Sequence, residues 1–390
     1  MADRDFFGSK NPQAVLKHGL LTRYAHYFAG RAGHATGGRL AFIDGYSGAG
    51  RYEDGSQGSP LLLASSAKRA ETINRDVMLA FVEPDAAVRR RLSVNLAEAG
   101  VEFDVLLDRP LESVIDELLD RYSDRAVLLF VDPFGLALSY ETLVRVLRRS
   151  RQRGPVDVLL HFSTLSIARM GRAAVKGAGA ASNATQLDRA LGPVDWRAAL
   201  KDLPELDGAP TQAAIDLAQQ FNAAIASECG VPSLSVPIRK RPEHLPLFVL
   251  TLFCRDPVGK ALWDFADMAG KACVDWLMRC ESDDYETYLA RQEIAPSLFP
   301  LHSEPSESEI NRVLDARAHD YLPVHLADLV RRAGLVRLQD DPGSTYGRLL
   351  GVAREKHVRV AMSALVEQGL VDIAQPGQVR NAVYRWLGQE

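Results

Sequence analysis

Long apolar runs, paired cysteines and a strong charge of either sign are all missing from this chain. No uninterrupted apolar stretch is long enough to span a bilayer, and none lies at the N-terminus, so neither a membrane segment nor an export leader is expected. The four cysteines, at positions 229, 254, 273 and 280, form no C-x-x-C pair, which excludes a ribbon-type zinc site and reads as small buried side chains in a reducing compartment. There is no H-E-x-x-H, and none of the nine histidines stands at zinc spacing from a cysteine, so no metal is expected. No G-x-x-x-x-G-K-[ST] loop is present, which argues against P-loop hydrolysis of ATP. A formal net charge of -4 excludes polyanion binding by the surface as a whole, though not by a local basic face. The expectation is a cytoplasmic protein with no membrane contact.

What is present is a repeated strand ending. Ala41-Phe-Ile-Asp44 breaks into a loop with glycines at 45, 48 and 50; Leu79-Ala-Phe-Val-Glu83 and Val127-Leu-Leu-Phe-Val-Asp132 end the same way. Three apolar strands, each closed by an acid, predict one crevice at the carboxyl edge of a parallel sheet, with the glycines letting backbone N–H groups approach a ligand. The pattern around them alternates. Strands are predicted at 39–44, up to 83, 103–107, up to 132, and 156–162, with helices at 12–28, 59–70, 85–99, 110–122 and 139–150. That is an α/β, doubly wound, mostly parallel Rossmann-like sheet. An alanine-rich helical insertion follows at about 163–230, then two strands near 234–239 and 247–253 that close the sheet as a hairpin, then a helix at 259–280. Proline, serine and acids without periodicity place a boundary within 282–305. The domains expected are thus 1–285 and 304–390. Helices at 307–319, 325–333 and 353–368 and a hairpin of 369–373 with 381–386 make the second a winged helix-turn-helix.

The loop spacing is G-x-x-G-x-G with Asp44 before it and Arg51, Glu53 and Asp54 after it. Acids suit a pyrophosphate poorly, and the next strand-end acid, Glu83, comes far later than the 20 or so residues of a dinucleotide fingerprint. S-adenosylmethionine offers an ammonium group and a ribose diol instead, both well matched by carboxylates. On this reading Asp44, Gly45, Tyr46, Ser47, Gly48 and Gly50 hold the methionine end, Glu83 takes the ribose hydroxyls, and Asp108 takes the adenine amino group. A parallel-sheet protein with unrelated loop acids is the bland alternative.

The stretches Phe42-Ile-Asp-Gly-Tyr-Ser-Gly-Ala-Gly-Arg-Tyr52, Gly58-Ser59-Pro60, Phe81-Val-Glu-Pro84, Phe130-Val-Asp-Pro-Phe-Gly135 and Leu245-Pro-Leu-Phe-Val-Leu-Thr-Leu-Phe-Cys-Arg-Asp-Pro-Val-Gly259, with Lys17 and Tyr24 on the first helix, resemble the three-Cys-motif partner proteins. The loop departs from that family's usual form at Gly45-Tyr46-Ser47 and at Ala49. The resemblance implies a class I methyltransferase-like domain with a C-terminal winged helix, S-adenosylmethionine as cofactor, and a radical-type partner protein carrying three cysteines. It puts Lys17, Arg51 and Ser59 on the substrate side.

Asp132-Pro133-Phe134-Gly135 is the expected reaction centre, with Asp132 also touching the cofactor. The turn is similar to the Asp-Pro-Pro-Tyr/Phe signature of amino-group methyltransferases, in which the acid and a proline carbonyl accept from an exocyclic NH₂ and the aromatic ring stacks on the base. The chemistry asked of such a site is mostly positioning. Alternatively Asp132 only lines the cofactor crevice and Phe134 is core. His161, inside a strand, reads as a hydrogen-bonded core residue. Arg239 and Arg241, at the end of a late strand, are phosphate candidates. Lys356 and Arg359 on the last long helix, with Arg380 and Arg385 on the wing, are nucleic-acid candidates, although residues 304–390 hold 11 Lys/Arg against 12 Asp/Glu. The function expected is methyl transfer to a nucleic acid or nucleotide-like compound. A non-catalytic partner of a radical enzyme, or a nucleotide-processing enzyme using the same crevice, remain as alternatives.

Overall fold

The computed structural model describes residues 11–133, 135–149, 154–176, 180–201, 211–256, 259–294 and 305–388. Phe134, residues 177–179 and the end of the basic run, at 150–153, lie outside the described residues. The chain groups into two compact units, Leu21–Arg255 and Asp256–Glu390 with Asn11–Leu20. The division falls between Arg255 and Asp256, whereas composition placed a boundary within 282–305.

In the first unit the elements run α1 (Pro12–Ala32, whose first residues group with the second unit), β1 (Arg39–Asp44), α2 (Ser59–Glu71), β2 (Asp76–Val82), α3 (Ala86–Glu98), β3 (Val105–Leu107), α4 (Leu111–Arg121), β4 (Ala126–Val131), α5 (Tyr140–Arg149) and β5 (Val156–Phe162). Four helices follow, α6 (Thr164–Lys176), α7 (Ala180–Leu191), α8 (Trp196–Leu200) and α9 (Gln212–Cys229), then β6 (Ser233–Ile238) and β7 (Phe248–Phe253). The seven strands make one sheet in the order β3-β2-β1-β4-β5-β7-β6, parallel except for β7, which is antiparallel to both neighbours. β4 and β7 are buried along their whole length, the signature of strands covered on both faces. The fold is Rossmann-like.

The strand order reverses between β1 and β4, which are not consecutive in the chain but lie side by side and parallel, with Asp44 opposite Phe130. Ligands of open α/β sheets bind outside the carboxyl ends at that point. On β5, alternation sends Val158, Leu160 and Phe162 into the core shared with α5, α7 and α9, and Asp157 to the other face. There Tyr24 Oη donates to Asp157 Oδ2 at 2.6 Å and Arg31 pairs with the same oxygen. Burial and the neighbouring carboxylate hold the Tyr24 hydroxyl well above its ordinary range, so α1 is pinned by a neutral phenol and one buried ion pair.

In the second unit α10 (Lys260–Ile294) is followed by α11 (Glu307–Ala333), β8 (Leu335–Arg337), α12 (Pro342–Tyr346), α13 (Glu355–Glu367), β9 (Val371–Gln375) and β10 (Val383–Trp386). The small sheet has the order β8-β10-β9, antiparallel throughout. Two helices were expected where α11 is one. Ile310, Leu314, Ala318, Leu322, Leu326 and Val330 form an unbroken buried i+4 stripe, and that packing carries the helix through Pro323. α10 likewise runs past residue 280, into the stretch read as a linker.

Candidate functional site

The loop after β1 is built by hydrogen bonds to the strands beside it. Asp44, fully buried, accepts the Tyr46 N–H on Oδ1 at 3.2 Å, and Gly45 N–H donates to Phe130 O at 2.9 Å. Ser47 straddles β2: its N–H donates to Val82 O at 3.0 Å, and its Oγ accepts the Val82 N–H at 3.1 Å while donating to Asp44 O at 3.1 Å. Gly48 then turns with φ of 59°, a conformation that costs a Cβ-bearing residue strain, and an added Cβ there meets nothing within 4 Å. That side of the turn is open.

Glu83 closes the arrangement. Its Oε2 accepts the Gly48 N–H at 3.0 Å and its Oε1 the Asp85 N–H at 2.9 Å. Burial raises its proton affinity above the ordinary glutamate value, and the two backbone donors oppose that rise. Glu83 is expected from the sequence to accept from a ribose; what the structure shows is that it holds the glycine loop. Asp108 follows β3 and is exposed, beside Leu107, whose carbonyl accepts the Glu83 N–H at 3.0 Å. The ends of β1, β2 and β3 therefore present Asp44, Glu83 and Asp108 along one edge.

Arg51 bends into its own loop, Nη1 donating to Gly55 O at 2.9 Å, and Ser59 is buried at the start of α2, after Gly58. Lys17 lies on the part of α1 that groups with the second unit and is 8% exposed. Arg239 and Arg241 follow β6 on the same carboxyl edge, but β6 is three strands from β4, about 14 Å at ordinary strand spacing.

Beyond β4, Asp132 Oδ1 lies 2.9 Å from Nδ1 of His161 on β5. The loop that begins with Asp132 and Pro133 is tied down from two sides: the Ser139 N–H donates to Glu112 Oε1 at 2.6 Å, and Arg189 of α7 pairs with Glu112 and donates to Ala137 O at 3.1 Å. Tyr46 sits within reach of that arginine's charge; burial pushes its hydroxyl up to about 12 against the Arg189 charge, so it stays neutral. The insertion helix thus positions the loop of the expected reaction centre. Sequence reading singled out neither Glu112 nor Arg189, because nothing local marks residues 27 and 52 positions from their partners in the loop as its anchors.

In the second unit the nucleic-acid candidates are largely compensated. Lys356 Nζ lies 2.6 Å from Asp315 Oδ1, Arg380 Nη1 3.9 Å from Glu355 Oε2, and Arg385 Nη2 2.7 Å from Asp372 Oδ2, while Arg359 is exposed. His357 Nε2 shares Asp315, and its Nδ1 accepts the Arg354 N–H; burial holds its imidazole below the ordinary value, so it is neutral near pH 7.

Among the described residues no cluster of His, Cys, Asp or Glu could hold a metal, and no helix is long and apolar enough to cross a membrane. No family model and no curated protein matches the chain. Solved structures overlap it in part. The SAH-bound methyltransferase PaMTH1 of Podospora anserina is 12% identical, with 62% of this chain and 88% of that one covered and a TM-score of 0.29. The plantazolicin methyltransferase BamL, solved with an analogue and SAH, is 10% identical over 62% and 84%, TM-score 0.32. The small RNA methyltransferase HEN1 is 10% identical over 60% and 26%, TM-score 0.31. At such scores they carry no argument, and the fold assignment rests on the sheet's own order.

Proposed function

We propose that the first unit is a class I methyltransferase-like domain that binds S-adenosylmethionine in the crevice between the ends of β1 and β4 and transfers its methyl group to a nucleotide-like acceptor. The observation that carries this reading is the distance between the glycine loop and the next helix. In dinucleotide folds the glycines open directly onto a helix N-terminus that holds a pyrophosphate. Here Gly48 and Gly50 are followed by an Arg51–Gln57 bridge, and α2 begins only at Ser59. The loop offers bare backbone flanked by carboxylates, which suits an ammonium and a diol and repels phosphate. Asp44 and the turn at Gly48 would face the methionine end, Glu83 the ribose, Asp108 the adenine, and the Asp132-Pro133 loop the acceptor. When bound, the sulfonium supplies an activated methyl group; the residues named hold it and the acceptor in line.

We further read the second unit as a winged helix, from its helix–strand–helix–helix–hairpin order, and assign it to docking a protein, in keeping with the resemblance to partners of three-cysteine radical proteins. The pairing of Lys356, Arg380 and Arg385 with carboxylates supports a protein over a polyanion. Calorimetry with S-adenosylmethionine, S-adenosylhomocysteine and NAD tests the main reading. Binding of the first two and not the third is expected; a folded protein that gives no heat with either sulfur nucleoside would end it.

A further inference from the structure

His161 stands on β5 on the face that carries Asp157, at the strand's carboxyl end, with 13% of its side chain exposed. Its Nδ1 is buried and lies 2.9 Å from Asp132 Oδ1, yet off the line that a hydrogen bond requires. The edge of Phe248 packs on the ring, centroids 4.0 Å apart at 80°. A core histidine would have its buried nitrogen satisfied, as the great majority of buried polar atoms are. A buried ring nitrogen in contact with a carboxylate and not aligned to it is instead the state in which acid–base pairs are commonly found before substrate tightens them. Both residues close strands next to each other, β4 and β5, on the edge where the acceptor loop begins.

We propose that His161 takes the proton from the methyl acceptor through Nε2, that Asp132 acts as the positioning residue holding the ring through Nδ1, and that the acceptor atom is a nucleotide hydroxyl. This rests on the methyltransferase reading above. In the step, the hydroxyl oxygen forms a bond to the methyl carbon as the carbon–sulfur bond breaks. The electron pair of that bond neutralises the sulfonium, the hydroxyl proton passes to His161 Nε2, and the imidazolium returns it to water. Asp132 remains ionised and stabilises the imidazolium. An exocyclic amine sheds its proton readily once methylated and needs acceptors for its N–H bonds more than a base. A hydroxyl is a poor nucleophile until its proton is drawn away, and a carboxylate turned toward an imidazole serves that purpose.

The ring state is read by long-range proton–nitrogen correlation on protein labelled at histidine nitrogen, His161 being assigned by the signal lost in His161→Gln. The neutral ring is expected to carry its proton on Nδ1, and Asp132→Asn to mix the tautomers; a wild-type ring protonated on Nε2 overturns the proposal. In parallel, a pool of unmodified transcribed RNA is incubated with methyl-labelled S-adenosylmethionine and digested. Label on ribose hydroxyls is expected, with His161→Gln slowing transfer about 100-fold or more while the affinity for S-adenosylmethionine stays within twofold. Label on base nitrogens, no label while the cofactor binds, or a wild-type rate in His161→Gln each overturns it. Failure of the cofactor itself to bind marks the loss of the methyltransferase reading instead.

Discussion

Glu83 Oε2 accepts the backbone N–H of Gly48 at 3.0 Å, so the acid that ends one strand holds the left-handed turn that follows its neighbour. The same carboxylate takes the Asp85 N–H on its other oxygen, and Asp85 in turn caps α3 by accepting from Ala87 and Val88. One side chain therefore couples the glycine loop to the first turn of the helix beyond β2.

Glu83→Ala should free both N–H groups and lower stability by about 1–3 kcal/mol for each donor left buried and unpaired. Affinity for S-adenosylmethionine should fall with it. Urea unfolding and calorimetry on the same preparation check this, and a variant unchanged in both would place the loop's support elsewhere.

Two of the loop glycines, Gly45 and Gly48, should separate stability from binding. At Gly45 an added Cβ would sit 2.6 Å from Leu111 Cδ2 and 3.3 Å from Phe130 O, so Gly45→Ala should destabilise by about 1–3 kcal/mol through overpacking. At Gly48 the Cβ meets nothing, and only the positive φ resists, by roughly 1–2 kcal/mol. Gly48→Val, bulkier on the open side, should abolish cofactor binding in a protein that still melts cooperatively.

Trp263 of α10 is fully buried, its ring centroid 5.5 Å from that of Tyr346, and its Nε1 donates to Glu355 Oε2 at 2.7 Å. Trp263→Ala should cost about 3–5 kcal/mol in the second unit, and Trp263→Phe considerably less. A fragment ending at residue 303 loses Tyr346 and Glu355 and should self-associate. Light scattering that finds it monomeric and stable would show that α10 does not depend on α12 and α13.

Acid should act through Asp104. Its hydrogen bond from Arg121, the largest influence, and that from Tyr122 hold its carboxyl down at about 2. A carboxyl lowered in the folded state contributes stability above its unfolded value of about 3.9, and loses it as pH falls toward about 2. Asp104→Asn should be less stable than wild type at pH 7 and equal to it near pH 2, read from urea midpoints across that range.

The local grammar of the first unit is in the sequence because it is local. Near-continuous apolar runs such as Ala126–Val131 and Phe248–Phe253 are typical of strands covered on both faces, so they mark buried strands without reference to the rest of the chain. Strand five was placed at its observed limits, Val156–Phe162, for the same reason. The acid that ends β1, and the acids just past β2 and β4, were legible because strand ends and turn glycines are coded by adjacent residues. Two helices were expected at 307–319 and 325–333 where α11 is one, because local pattern says nothing of the six-residue buried stripe that outweighs the cost of Pro323.

What tertiary structure alone decided is which distant residues meet. β7 enters between β5 and β6, although β6 precedes it in the chain, and no periodicity encodes that order. Arg189 finds Glu112 across 77 positions, and Asp132 finds His161 only because β4 and β5 are neighbours in the sheet. Sequence sets the period of burial along each element; the pairing of elements follows from closing one core, whose gain in buried apolar surface belongs to no single segment. His161 reads as a core residue in the sequence and as half of an acid–imidazole pair in the fold, and only the packing of one strand against the next makes the difference.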